Sequence, residues 1–319
     1  MSSPDDASNR NPSIAICIPT HGRPDLVKEA LASVLEQTHA PSEVLVSDDC
    51  GDPKVRQLVE EVAATVPYPI RYLHCTDGPG QAQNVNHCLR AVCSDLLLLL
   101  HDDDLLFPRC LEILIQPFRR DPGLIATYGR QLFVDNAGRE VPGLSDPINQ
   151  HHRRTPDRVG VQKCSLCAAI IGQFPNNGYL IRAEVAKGVG VDAARGAALD
   201  RDFAIRCASS GPFFYTGELT SKYRLSDDSI IRGKGRDTDD SAFMFARLLE
   251  ELCPLDAECK ETIAQSYKEI LPSAIAQAAQ LKRPKAGWQW YFSKEHAPRI
   301  LTRGGLHRAA LLLAAMFNR

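Results

Sequence analysis

Three acidic groups stand out in the sequence, because carboxylates bind divalent cations and accept protons. Asp102–Asp104 is a run of three aspartates, Asp48–Asp49 is a pair, and Asp200 and Asp202 flank an arginine. Adjacent aspartates repel one another unless a cation neutralises them. Mg²⁺ usually takes one or two carboxylates together with phosphate oxygens. The triplet therefore predicts a metal bridged to a diphosphate, and the alternative is a solvated acidic turn.

The acidic groups fall at the ends of predicted elements. The pair follows a strand at residues 43–47, and the triplet follows a leucine-rich strand at 95–100. Pro19 and Thr20 follow a first strand at 13–18 in the same way. Because ligands of parallel sheets lie beyond the carboxyl ends of the strands, these loops are expected to meet on one rim. Asp200 opens a predicted helix, where a helix N-cap is the alternative to a catalytic role.

Apolar runs and helical spacing alternate along the first 120 residues, which predicts an α/β fold with a mostly parallel sheet. Further predicted strands there lie at 70–74, and helices at 55–66, 81–92 and 111–119. The later part is predicted to contain strands at 124–134, 178–182 and 212–216, a loop at 142–157, a helix at 200–208, and helices at 243–252, 258–281 and 307–317. Pro272 is expected to interrupt the penultimate helix.

Composition excludes several classes of protein. The chain has 319 residues and a net charge of −2, without the basic footprint of a nucleic-acid-binding protein. No apolar run reaches the ~20 residues of a membrane span. The first twelve residues lack the apolar core of a secretion signal and predict a disordered tail. We therefore predict cytoplasmic localisation, with the eleven cysteines, including the Cys164–Cys167 pair, as reduced thiols.

Four segments carry a resemblance to a known family. CIPTHGRPDLVKEALASVLEQT, EVLVSDDCGD, LLLLHDDD and ALDRDFAIR resemble, in order and spacing, the motifs of family-2 inverting glycosyltransferases. The resemblance implies the GT-A fold, in which helices flank a mostly parallel nucleotide-binding sheet. It places a tail at 1–12, a catalytic domain at 13–225 and a helical C-terminal extension at 226–319.

The resemblance also implies an activity. A sugar would move from a nucleotide-diphosphate sugar, UDP- or dTDP-linked by preference, to an acceptor hydroxyl by single displacement, in glycan or polysaccharide synthesis. Asp200 would be the general base, and Mn²⁺ or Mg²⁺ would bind Asp103 and Asp104. The nucleotide-sugar site would comprise Pro19, Thr20, Arg23, Asp48, Asp49, Gln83, Asp102 and Asp103. Acceptor or other site contacts would come from Asn176, Asn177, Asp202 and Arg224.

The predicted partners are the nucleotide sugar and a glycan, lipid-linked or small-molecule acceptor, without nucleic acid. The apolar stripe Leu311–Phe317 lies among arginines and is expected to pack against the domain. The alternative is peripheral contact with the inner face of a membrane.

The sequence departs from the family pattern at three places. Gln83 stands where the family often has arginine, and Leu199 where it usually has glutamate. The late loop at 223–228 lacks a histidine that the family often carries near the phosphates, and Arg224 or Arg232 is the proposed substitute.

Three other functions are weighed against sugar transfer. A Mg²⁺-dependent phosphohydrolase would need an aspartate directly after the first strand, where Pro19 stands. A nucleotidyltransferase would need a glycine-rich basic loop there. A non-catalytic nucleotide-sugar-binding module stays open as a third alternative.

Overall fold

The computed structural model describes residues 11–225, 241–254 and 256–317. The predicted tail lies outside these residues up to position 10, and so does the predicted start of the C-terminal extension at 226–240. Nine strands form one mixed sheet. They are β1 (Ile14–Thr20), β2 (Glu43–Asp48), β3 (Ile70–His74), β4 (Leu96–Leu99), β5 (Leu105–Leu106), β6 (Ala126–Val134), β7 (Gly160–Val161), β8 (Leu180–Arg182) and β9 (Phe213–Arg224).

Helices follow most of the strands, as the alternating pattern predicts. In the first part of the chain these are α1 (Pro24–Leu35), α2 (Pro53–Ala63), α3 (Gln81–Ala91), α4 (Cys110–Arg120), α5 (Ser145–His151), α6 (Ser165–Ile170), α7 (Ala183–Val189) and α8 (Leu199–Ala208). The last four are α9 (Ser241–Glu251), α10 (Ala257–Gln280), α11 (Pro284–Tyr291) and α12 (Arg303–Phe317).

The sheet has the order β3-β2-β1-β4-β8-β6-β9-β5, with β7 paired to β9. The first four of these strands are parallel, whereas β8 runs antiparallel to both of its neighbours. Every residue of β1, β2 and β4 is buried, as expected for parallel strands covered on both faces. The carboxyl ends of β1, β2 and β4 therefore share one edge, which is the edge that carries the acidic groups.

Residues 142–157, predicted as a loop, instead contain α5 and a short 3₁₀ turn at Pro156–Arg158. The polar residues that suggested a loop bond to the backbone of β6. Ser145 Oγ accepts the Phe133 N–H at 2.9 Å, and Asn149 Nδ2 donates to the Gln131 carbonyl at 2.8 Å. The side chains of α5 thus form hydrogen bonds with a backbone N–H and a carbonyl of β6, as the backbone of a neighbouring strand would.

Two further predictions are corrected. Pro272 does not interrupt α10, which runs through it, because the buried face of Leu271, Ala274 and Ile275 packs continuously. Cys164 and Cys167 are disulfide-bonded, so the prediction of reduced thiols is wrong at this pair, while the other nine cysteines, all among the described residues, form no disulfide. Because only two residues separate the two cysteines, both sulfurs lie on a single turn of the chain.

The chain divides into two compact units. The first comprises Met1–Ser165, Gln173–Val191 and Arg206–Arg224 and holds the sheet. The second comprises Leu166–Gly172, Asp192–Ile205 and Leu225–Arg319, and its apolar core is built from α9 to α12 around Phe243, Ile275, Trp290 and Leu312. The domain boundary at 225/226 stays a prediction. Among the described residues, no helix has the length and apolar character needed to cross a bilayer.

Candidate active site

The end of β1 is tied to the aspartate triplet through Asp102. This carboxylate is buried, and its Oδ2 accepts the Thr20 hydroxyl at 2.6 Å and Arg23 Nε at 2.8 Å. Arg23 Nη2 donates to the other oxygen, so the guanidinium binds both oxygens. Burial raises the pKa of Asp102, and Arg23 and Thr20 oppose that rise. Asp102 therefore fixes Arg23 at the mouth of the sheet, a task distinct from the donor contact that the sequence predicts.

Asp48 organises the loop after β2. Its side chain is fully buried and accepts the backbone N–H groups of Gly22, Cys50 and Asp52 at 3.3, 3.1 and 2.6 Å. The Tyr72 hydroxyl donates to it at 3.2 Å. Burial by itself would raise the pKa of Asp48, but these donors hold the pKa below its ordinary value. Asp48 therefore supports this loop, and the donor contact that the family resemblance implies for it stays a prediction.

Asp49, the second member of the pair, lies in the cleft between two loops. Its Oδ1 is 2.7 Å from His21 Nδ1, and its Oδ2 accepts the Gly80 N–H at 2.8 Å. Gly22 has a φ of +58°, and a Cβ there would lie 2.6 Å from Cys50 Sγ. Only glycine allows the loops after β1 and β2 to approach this closely.

Helix α3 contributes amide side chains. Asn84 is buried and its Nδ2 donates to the Thr20 carbonyl at 2.7 Å, which links α3 to the end of β1. Gln83 Oε1 folds back towards Gly80, 2.9 Å from the point that a Cβ on this glycine would occupy. Among the described residues of α3, Gln81 and Asn84 line the cleft.

The rest of the triplet forms a candidate cation site together with His101. Ligand atoms of His101, Asp103 and Asp104 all lie within 4.8 Å of one another. Asp103 is half-buried and 3.6 Å from Arg23 Nη1. Burial, followed by the charge of Asp103, raises the pKa of Asp104 to about 8. The cluster thus concentrates negative charge and oxygen and nitrogen donors at one point.

Asp104 is held from behind by a buried polar network. Asn177 Nδ2 donates to Asp104 Oδ2, and the Arg224 N–H donates to Oδ1 at 2.7 Å. Gln131 Nε2 lies 3.5 Å from the side-chain oxygens of both Asn176 and Asn177. Buried Arg154 donates to Gln131 Oε1 at 2.9 Å and completes the network.

The guanidinium of Arg224 is engaged by three groups of this protein. It donates to the Asp103 carbonyl at 2.7 Å, to the Asn136 carbonyl at 2.6 Å, and to the Glu29 carboxylate. The side chain is buried at the end of β9. Arg224 therefore fixes the backbone of the triplet, and its predicted phosphate contact stays a prediction. Arg232, the other predicted substitute, lies outside the described residues.

These groups surround a cleft of about 530 Å³ in the first unit. Six residues of the predicted nucleotide-sugar site line it, namely Pro19, Thr20, Arg23, Asp49, Asp102 and Asp103. His21, Pro79, Gly80, Gln81, Asn84 and His101 complete the lining. Asp48 and Asp104 lie behind it.

Asp200 and Asp202 lie in the second unit, in the first turn of α8. Asp200 is half-buried. Burial lowers the pKa of the neighbouring Arg201 to about 10, and the negative charge of Asp200 opposes this decrease. Asp202 is buried and 3.2 Å from Arg195 Nε, and Arg195 Nη1 also donates to Glu251 at 2.6 Å. Asp202 is thus part of an ion-pair cluster that connects α8 to α9.

Residues 15–172 match glycosyl transferase family 2. This segment of the chain belongs to that family. An uncharacterised glycosyltransferase of Haemophilus influenzae is 30% identical over 115 residues, which are 36% of this chain and 37% of that protein. The chain therefore spans little more than a third of this curated relative.

Two solved structures share the fold. TarS of S. aureus, solved with UDP, has a TM-score of 0.62 at 14% identity, with 96% of this chain and 92% of that one covered. The mannosyltransferase PcManGT of Pyrobaculum calidifontis, solved with GDP-Man and Mn²⁺, has a TM-score of 0.58 at 15% identity, with 98% and 89% covered. The fold is the GT-A glycosyltransferase fold, with the predicted helical C-terminal region.

Sequence reasoning missed three participants. His101 directly precedes the triplet, and its position after a buried strand was the signal that could have found it. Gln131 and Arg154 carry no such signal, because they reach the site only through tertiary contacts.

Proposed function

We propose that the protein is an inverting glycosyltransferase that moves a sugar from a nucleotide-diphosphate sugar to an acceptor hydroxyl by single displacement. The observation that carries the proposal is the cleft at the carboxyl ends of β1, β2 and β4. Basic Arg23 and acidic Asp49 and Asp103 converge there on one cavity. This is the position at which α/β sheets bind nucleotides.

The donor set of the cluster fits a divalent cation. His101, Asp103 and Asp104 offer one imidazole and two carboxylates whose ligand atoms lie within 4.8 Å of one another. Oxygen donors suit Mg²⁺, and a mixed oxygen and nitrogen set also suits Mn²⁺. When bound, such an ion offsets the negative charge that develops on the leaving diphosphate. Asp103 would be its most accessible ligand, because Asp104 already accepts hydrogen bonds from Asn177 and Arg224.

The nucleotide would lie against the loops that follow β1 and β2. Asp49 is the proposed base contact, and its present partners, Gly80 and His21, hold its carboxylate at the cleft. Pro19 and Thr20 would form the floor. Solved neighbours of this fold bind UDP, UDP-GlcNAc and GDP-Man. A UDP- or dTDP-sugar is the donor we favour here.

Asp200 is the proposed general base, an assignment that rests on its place in the acidic motif. Carboxylates are ionised at neutral pH and can accept the acceptor's proton as its oxygen attacks the anomeric carbon. Arg201, which donates to the Ile170 carbonyl at 2.6 Å, anchors the turn that carries Asp200. Asp202 supports the same turn through Arg195.

The acceptor class is proposed from the relatives. They include a succinoglycan biosynthesis protein of Rhizobium meliloti and a chondroitin synthase of Escherichia coli. A glycan or lipid-linked glycan is therefore the acceptor we favour over a small molecule. Contact with a membrane through the C-terminal helix would suit a lipid-linked acceptor.

Release of nucleoside diphosphate tests the proposal. The protein would be incubated with UDP-glucose, UDP-GlcNAc, dTDP-glucose or GDP-mannose, with Mn²⁺ or with EDTA, and with water or glycan fragments as acceptor. We expect Mn²⁺-dependent release from at least one donor and its loss in Asp200→Asn with donor binding retained. Donor binding without turnover under every condition would instead establish a non-catalytic binding module.

A further inference from the structure

The C-terminal segment carries a charge opposite to that of the rest of the chain. Residues 282–319 contain eight lysines and arginines and one acid, Glu295, which gives a net charge of +7 within a chain of net charge −2. The preceding residues are therefore acidic overall. Such an asymmetry is typical of a segment that contacts an anionic partner.

Helix α12 buries one of its faces, and its opposite face is apolar although it is exposed. Leu312 is fully buried on the inner face, where its methyl group approaches Gly287 of α11 so closely that no Cβ would fit there. On the outer face, Leu306, Ala310 and Leu313 are exposed and recur at helical spacing. Outer faces of helices in water normally carry polar side chains. The expected packing against the domain is thus found on one side of α12 only.

Aromatic side chains extend this apolar face onto α11. Phe292 is 68% exposed and stacks on Trp288 with ring centres 5.6 Å apart. Trp288 Nε1 is 3.3 Å from the sulfur of Met316, which joins the aromatic pair to the outer side of α12. The result is a connected apolar surface within the second unit, which we name the α11–α12 face. Its members are Trp288, Phe292, Leu306, Ala310, Leu313 and Met316.

Basic residues border the α11–α12 face. Lys285 precedes Trp288 by three positions on α11, and Arg303 precedes Leu306 by three on α12, so each shares a helix face with its apolar neighbour. Lys285, Lys294 and Arg303 are all exposed. Leu301, which is 88% exposed, lies in sequence between two arginines.

We propose that the α11–α12 face binds the surface of an anionic lipid bilayer. The exposed Phe and Leu side chains, with half-buried Trp288 beside them, enter the boundary between headgroups and acyl chains, while bordering lysines and arginines contact lipid phosphates. A second copy of this chain is a poorer occupant, because two faces of the same positive charge repel each other. The inference goes beyond sugar transfer, and its test measures lipid binding rather than activity.

Vesicle flotation tests the proposal with the full chain. Wild type is expected to float with vesicles of phosphatidylcholine and phosphatidylglycerol and to remain below with phosphatidylcholine alone. The binding should weaken in high salt, which screens exposed charges. The double variant Lys285→Glu/Arg303→Glu should bind at least about 25-fold more weakly, since each basic residue contributes about 5-fold. The double variant Phe292→Ser/Leu313→Ser should bind at least about 10-fold more weakly through lost apolar burial.

Matched controls lie on α1, where Lys28 and Leu35 are also exposed. Lys28→Glu and Leu35→Ser make the same kinds of change elsewhere and should leave vesicle binding intact. Circular dichroism melting verifies that each variant is folded. Equal binding to both vesicle types, or equal loss in the α1 controls, would overturn the proposal. So would self-association in ultracentrifugation that Phe292→Ser/Leu313→Ser abolishes in a protein that never floats.

Discussion

The loop that presents Asp49 depends on a single buried carboxylate, and Asp48→Asn tests this dependence. Asp48 Oδ1 accepts the N–H groups of Gly22 and Cys50, and Oδ2 accepts the Asp52 N–H at 2.6 Å. An asparagine retains only one acceptor oxygen. Its amide nitrogen must then face at least one backbone donor.

The more favourable orientation of the substituted amide keeps its oxygen towards Gly22 and Cys50. The Tyr72 hydroxyl can turn to accept from the new amide, but the Asp52 N–H loses its acceptor. A hydrogen bond to a charged group contributes roughly 1.5–3 kcal/mol, and an unsatisfied buried donor costs about as much. We therefore expect the free energy of unfolding to fall by about 2–3 kcal/mol. For a domain of this size that lowers Tm by roughly 4–12 °C.

Thermal melting between pH 8 and pH 3 is the assay. The pKa of Asp48 is lowered in the folded protein, so its stabilisation is complete above the unfolded value of about 3.9 and is lost below it. The gap between wild type and Asp48→Asn should thus be constant from pH 8 to 5 and shrink in more acidic solution. The control is Asp52→Asn, where the side chain caps α2 by accepting the Lys54 N–H, a task asparagine performs equally well. Equal stability of the two variants would refute the reasoning.

Two further predictions concern packing behind the cleft. Asn177→Ala removes the amide that donates to Asp104, so both Asp104 and Gln131 lose a buried partner. The free energy of unfolding in urea should fall by about 1–3 kcal/mol. A fall of less than ~0.5 kcal/mol would contradict the network. Gly129→Ala places a Cβ 2.4 Å from the Glu218 carbonyl on β9 and should destabilise by about 1–3 kcal/mol. Gly188→Ala on α7, where nothing lies within 4 Å, should be neutral or stabilising, and equal effects of the two glycine changes would argue against a steric cause.

Local signals in the sequence were sufficient to predict the parallel half of the sheet. Buried apolar runs marked β1, β2 and β4, and the polar residues directly after them do line one cleft. These features could be predicted because strand, loop and acidic residues are adjacent in the chain.

Contacts between distant residues could not be predicted. Arg224 bonds Glu29, which is 195 positions away, and nothing near either residue indicates that pairing. The polar residues of α5 were mistaken for a loop because their partners lie on β6. Asp102 binds Thr20 and Arg23, which lie 82 and 79 positions away in the sequence. In each case a tertiary partner gives a polar side chain a role that composition does not show.

Titration of UDP into the protein, with and without Mn²⁺, tests the central claim most directly. We expect binding that Mn²⁺ strengthens at least ~10-fold, because the ion would bridge the diphosphate to the acidic cluster. Asp103→Asn should abolish the Mn²⁺ effect and leave the weak metal-free binding unchanged, since Asp103 is the half-buried carboxylate of the cluster. Glu112→Gln, an exposed change on α4, should behave as wild type. Binding of UDP that is independent of Mn²⁺ and equal in wild type and Asp103→Asn would contradict the assignment of this cleft.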